Sequence, residues 1–170
     1  MSSQEAPSRG QDLDRLEALI GHWRTEGKVL GEGGAQVATI RGTDTYEWLD
    51  GRHFVIHRVD VEVGAVRVVA IEMIGQPEPG SGVFQARAYD NQGAITDMTA
   101  TVDADGVWTF RGGPDVADAA APADGSSATE VRATLTVAPD GSRMHAHWER
   151  SIANLGWQSW MKVDFTRMAD

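Results

Sequence analysis

From Asp12 onward the apolar residues Leu13, Leu16 and Ile20 recur at helical spacing, and Gly21 supplies a stop, which predicts one short amphipathic helix. Beyond Gly21 the helical period disappears. Runs rich in Val, Ile, Thr and aromatic residues then alternate with turn signals at short, even intervals, among them Asp50-Gly51, Gly64-Ala65, Asp105-Gly106 and Asp140-Gly141. The pattern predicts about ten strands, at 22–30, 35–49, 52–63, 66–75, 82–90, 94–103, 106–112, 127–138, 142–152 and 156–167. An antiparallel meander of that many strands removes its exposed edges most simply by closing, so the expected fold is an all-β up-and-down barrel. Two stretches stand apart. Residues 1–10, rich in Ser, Pro, Gln and Gly, read as a disordered arm, and 114–127 (PDVADAAAPADGSS) reads as a flexible loop within a single domain spanning 11–170.

Tight turns fix strand register, so the sequence also predicts which side chains meet. Taking Asp50-Gly51 as a two-residue turn pairs Asp44 with His57, Tyr46 with Val55 and Trp48 with His53. Gly64-Ala65 then pairs His57 with Glu72 and Val59 with Ala70. The face holding these residues is the more apolar and is expected to point inward; the opposite face carries Arg41, Glu47, Arg58, Asp60 and Glu62 with some apolar members. Further along, a three-residue turn at Ala104–Gly106 pairs Val102 with Trp108 and Ala100 with Phe110. Asp140-Gly141 pairs Ala133 with Trp148, and a two-residue turn at Asn154-Leu155 pairs Trp148 with Met161. These registers place Trp23, Trp108, Trp148, Trp157 and Arg150 inside and Trp160 outside.

The chemistry that emerges is a row of Asp44, His57 and Glu72 across three adjacent strands, pointing into an apolar interior. Opposed residues lie about 4.5–5.5 Å apart at Cβ, within reach for His57 to hydrogen-bond one or both carboxylates. Three readings stand side by side: a polar cluster that fixes register, a device that orients a ligand, and a catalytic acid/base group. Tyr46, Trp48 and His53 line the same face, while Trp108, Trp148, Arg150 and Met161 could complete a ligand-binding wall. His145-x-His147 followed by Glu149 invites a metal reading, but the register sets these residues outside beside Arg132, Lys162 and Asp164, so no metal site is expected.

Composition narrows the field. With 15 Lys+Arg against 25 Asp+Glu the net charge is −10, which disfavours a nucleic-acid backbone as partner. The absence of cysteine removes disulfides, thiolate metal sites and thiol nucleophiles. No apolar run approaches a membrane span and the N-terminus lacks a signal pattern, so a cytoplasmic protein with no membrane partner is expected.

The opening Leu19-Ile20-Gly21-His22-Trp23 resembles the Gly-x-Trp strand of lipocalins and related calycins. That resemblance implies a tryptophan packed at the closed barrel end under a basic residue from the last strand, a part that falls to Arg167. More specifically, GTDTYEWLDG (42–51), HRVDV (57–61), AIEMIG (70–75), YDNQG (89–93) and the closing WERS…W…WMKVDFTR resemble an uncharacterised bacterial lipocalin-like family, a calycin-like β-barrel domain of unknown function. The resemblance runs from Leu13 to Arg167 and implies a calycin-like barrel with an internal cavity. The heme-binding nitrobindins are similar in strand number and opening motif, and hold heme through a histidine near the C-terminus. The last strand here has Met161 and Lys162 and no histidine, so no cofactor is expected.

Together these readings lead to a protein that binds a small hydrophobic or aromatic molecule in its barrel, as carrier, sensor or sequestering module. The alternative is a cofactor-free isomerase, dehydratase or cyclase in which His57, tuned by Asp44 or Glu72, moves a proton on a small organic substrate. A third reading uses the outer face around Trp160 for self-association, giving a homodimer.

Overall fold

Alternation at period two gives a strand one face to bury, and successive strands of that kind bury it by curling their sheet onto itself. The computed structural model, which describes residues 11–75, 80–113 and 128–169, has this architecture. Its strands are β1 (Gly21–Leu30), β2 (Gln36–Trp48), β3 (Phe54–Val63), β4 (Val66–Gly75), β5 (Val83–Asp90), β6 (Ile95–Val102), β7 (Trp108–Gly112), β8 (Ala128–Val137), β9 (Arg143–Ile152) and β10 (Gly156–Arg167). Each runs antiparallel to its neighbours, and β1 pairs with β10 to close the barrel. All ten predicted strands are present, with β3 and β7 starting at Phe54 and Trp108 rather than at 52 and 106. The arm 1–10 and the loop 114–127 lie outside the described residues.

Where tight turns set the register, the pairs are those expected: His57 with Glu72, Val102 with Trp108, Ala133 with Trp148, Arg132 with Glu149. Two registers differ. The β2–β3 hairpin turns through residues 50–53: Arg52 N–H donates to the Leu49 carbonyl, Leu49 N–H donates to the Phe54 carbonyl, and Gly51 and Arg52 take positive φ of 89° and 56°. The register therefore slips by two, so Asp44 pairs with Val59, Tyr46 with His57 and Trp48 with Val55, and His53 sits in the loop instead of opposite Trp48.

The β9–β10 hairpin differs by one residue. Ile152 pairs with Gly156 across a three-residue loop, and a bulge between Ser159 and Met161 restores the expected pairs from Met161–Trp148 onward. Between the loop and the bulge every side chain is inverted relative to the prediction. Trp157 lies outside, 4.1 Å beneath the Arg132 guanidinium, and Trp160 is buried within.

One end of the barrel is plugged. Leu13, Leu16 and Leu19 recur every third residue and fit a 3₁₀ helix, Gln11–Ala18, at the place where one short helix is expected; all three are buried, and Ile20 is half-buried. The helix spans the rim. Arg15 donates to the Val102 and Asp103 carbonyls on the β6–β7 side, while Glu17 accepts from Trp48 Nε1 and Arg52 on the β2–β3 side. Beneath it Trp23 is fully buried, its Nε1 donating to the Leu19 carbonyl at 2.9 Å.

Arg167 stacks 4.2 Å over the Trp23 ring and donates to the carbonyls of Ile20 (2.6 Å) and Gly141 (2.7 Å). This is the role the calycin resemblance implied. Gly21 is required here, because a Cβ would stand 2.2 Å from Arg167 Nη1 at a φ of +141°. Replacing Arg167 by alanine is expected to cost about 1–2 kcal/mol in urea denaturation, with lysine recovering little of it because only the planar fork both stacks and reaches two carbonyls. Equal stability of Arg167→Lys and the parent chain would contradict this account of the closed end.

Candidate functional site

Asp44, His57 and Glu72 converge inside the barrel from β2, β3 and β4. His57 Nε2 donates to Asp44 Oδ1 at 2.7 Å, and Nδ1 donates to Glu72 Oε1 at 3.0 Å. The two-residue slip between β2 and β3 leaves all three on the inner face, since an even shift preserves the side of the sheet. It also brings Tyr46 opposite His57, where the two rings stack at 3.9 Å and 7°.

Thr25 on β1 completes the network by donating Oγ1–H to Asp44 Oδ2, so both oxygens of this carboxylate are engaged. Thr25 was not foreseen, because β1 and β2 are joined without a tight turn that would set their register. Its sequence signal is a hydroxyl at an inward position between Trp23 and Val29.

Burial pushes the His57 pKa down, but hydrogen bonds to Asp44 and Glu72, reinforced by their negative charge, outweigh it and raise the value to about 9. His57 is therefore an imidazolium at neutral pH, with both N–H groups committed to carboxylates. Tyr46 is held well above the usual phenol value by burial and by the charge of Asp44 and Glu72, and stays protonated. Among the described residues nothing hydrogen-bonds Glu72 Oε2.

The other candidate residues are spread apart. Trp108 is packed in the core between Phe84 (5.1 Å) and Phe110 (6.3 Å). Trp48 and His53 belong to the plugged end, Trp48 with Arg52 lying 5.1 Å over its ring. Trp148, Met161 and Arg150 line β9 and β10, and β9 is five strands from β4 in either direction around the barrel. This is the wall facing Glu72. Trp160, turned inward by the bulge, stacks edge-on against Trp148 at 6.3 Å with the Arg150 guanidinium 5.8 Å over its ring. On the outer face His145 pairs with Asp164 (2.8 Å) and His147 with Ser159 (2.8 Å).

On the β3–β5 side, beyond the cluster, the inner wall is less tightly covered. Val59, Val68, Ala70 and Ala88 point inward beside His57 and Glu72 yet are only half-buried, so accessible space lies next to the cluster. Ala88, directly opposite Glu72, offers only a methyl group to fill it.

Because the folded pKa of His57 lies above its unfolded value of 6.5, its stabilising contribution is complete below about pH 6.5 and is lost as pH rises through 9. Denaturation measured across that window should lose about 3 kcal/mol, and an imidazole NMR titration should place the midpoint near 9. A midpoint below 7 would mean the two carboxylates do not hold the proton.

No protein-family model matches the sequence, and no curated protein matches it. Among solved structures the chain is similar to Rv2717c from M. tuberculosis, with a TM-score of 0.64 and 13% identity over 95% of this chain and 100% of that one. It is also similar to the S-type phycobiliprotein lyase CPES from Guillardia theta, with a TM-score of 0.60 and 8% identity over 92% of each chain. At such identities the likeness shows a shared fold, which in this chain is a closed ten-stranded antiparallel barrel.

Proposed function

We propose that the protein binds a small, flat hydrophobic or aromatic molecule inside the barrel, oriented by a hydrogen bond from the ligand to Glu72. The observation that carries this reading is the asymmetry of the cluster. Asp44 is saturated and both His57 nitrogens are taken, while Glu72 keeps one carboxylate oxygen beside half-buried inward residues. Apolar walls with a few fixed polar groups are what a ligand site requires, and Trp148 and Met161 supply an aromatic and a soft surface across from Glu72.

The enzymatic alternative needs a histidine nitrogen that can reach the substrate, and both nitrogens of His57 are taken by Asp44 and Glu72. His57 is better read as the group that fixes Glu72 in place. The same reading takes the chain as a member of the uncharacterised bacterial lipocalin-like family, on the motifs around Asp44, His57 and Glu72. A barrel of this fold also serves as a phycobiliprotein lyase in Guillardia theta, and that likeness contributes the fold alone.

N-phenyl-1-naphthylamine, a flat fluorescent molecule with one N–H donor, is a suitable probe. It is expected to brighten on binding, to bind about tenfold more weakly to Ala88→Leu, whose side chain fills the space, and several-fold more weakly to Glu72→Gln. Ala88→Leu should melt no lower than the parent, because it fills space instead of overpacking a dense core. Absence of binding to the parent chain, or unaltered binding to Ala88→Leu, would remove this function.

A further inference from the structure

We propose that the outer face of β3–β6 docks a second copy of this chain. The first observation is where the barrel leaves apolar side chains in water. Five large apolar residues on outward strand positions are at least a third exposed along β3–β6: Phe54, Ile71, Val83, Tyr89 and Ile95. Elsewhere Val37, at the start of β2, is comparable on a strand, and Leu49, Leu155 and Met168 are exposed just beyond strand ends.

Four of these residues are connected, while Val83 stands apart beside Thr101 and Gln85. Ile71 pairs with Tyr89 and Tyr89 with Ile95, a row across three strands in which the residues are 41%, 49% and 48% exposed. One row further, Ile56 pairs with Met73, extending the apolar surface toward Phe54. A lone exposed apolar residue needs no explanation, but a connected patch on one side of a barrel marks a contact surface.

The sequence pattern agrees. Most strands alternate, as β8 does in ATEVRATLTV, whereas β4 reads VRVVAIEMIG, with Val69, Ile71 and Met73 apolar on the side away from the core. A strand apolar on both faces is one that is covered on both faces.

Charge selects the occupant. The chain carries −10, so two copies repel over most of their surfaces. The outward positions of β3–β6 hold Arg58, Arg67 and Arg87 against Asp60, Glu62 and Asp97, which cancel. Arg67 with Asp60 (2.8 Å) and Arg87 with Asp97 (3.6 Å) are already paired within the face. A basic partner would gain nothing from this neutral surface, while a second acidic copy meets least repulsion there. The contact is isologous, apolar at its centre and rimmed by ion pairs.

Sedimentation velocity of the full chain from about 5 to about 500 μM tests this, with the range chosen for a dimer of micromolar affinity. The parent is expected to pass from monomer to dimer, and more readily as salt screens the like net charges. Ile71→Glu and Ile95→Glu, both at exposed positions, should weaken the dimer about tenfold or more with an unchanged melting temperature. Thr134→Glu, on the outer face of β8, should leave the dimer as it is. A parent chain monomeric throughout, or a dimer indifferent to both β4 and β6 substitutions, would overturn the proposal. Co-flotation of a monomeric parent with phosphatidylcholine vesicles would overturn it in favour of a lipid surface.

Discussion

A closed barrel has no free edge through which a buried charge can reach water, so a charge inside must bring its own partners. This constraint governs the interior. An aspartate, a histidine and a glutamate would each be costly in an apolar barrel alone, and together they are tolerable only because every proton on the imidazolium meets a carboxylate. Thr25 extends the chain of partners to a fourth strand. The cluster thereby ties β1, β2, β3 and β4 into one register. Removing His57 leaves two buried carboxylates without a countercharge, removing either carboxylate leaves an imidazolium N–H without its acceptor, and the same ties hold Glu72 still for whatever it meets.

The two ends of the barrel divide the labour. The plugged end concentrates its large side chains: Trp23, Trp108, Phe84 and the helix leucines leave no room, and Arg167 seals them from above. Rigidity there supports a less dense β3–β5 side beyond the cluster, where inward positions hold Ala70, Ala88 and valines. A site built on strands whose far ends are locked has little freedom to relax, and a polar group that must orient a ligand benefits from that stiffness.

Much of this was legible in the sequence, and the limits follow from geometry. Period-two alternation and turn dipeptides report strands directly, so the ten strands and most registers could be read. The Asp50-Gly51 turn was misjudged, because Arg52 at positive φ lengthens the loop and nothing in an arginine signals that conformation. The slip was even, so Asp44 and His57 stayed on one face and still met through a diagonal contact. At β9–β10 the error was odd. One extra loop residue and a compensating bulge exchanged Trp157 and Trp160 between outside and inside, and a bulge leaves no mark in the hydrophobic pattern when tryptophans occupy both sides. The inner cluster was thus readable in kind, while its stacking partner Tyr46, placed beside it and not against His57, depended on a turn the sequence does not spell out.

The same pleat that sends His57 and Glu72 inward sends Ile56, Ile71 and Met73 outward on the same two strands. β3 and β4 therefore carry the cluster on one face and the most apolar part of the wall on the other. A protein with a net charge of −10 has ample charge to solvate that wall, yet the outward charges of these strands are balanced and the excess lies elsewhere. Keeping a neutral apolar surface on the strands that hold the site means that anything covering it also stiffens the backbone from which Glu72 projects. The inner site and the outer face are in this sense one construction, two sides of a single strand pair one residue apart.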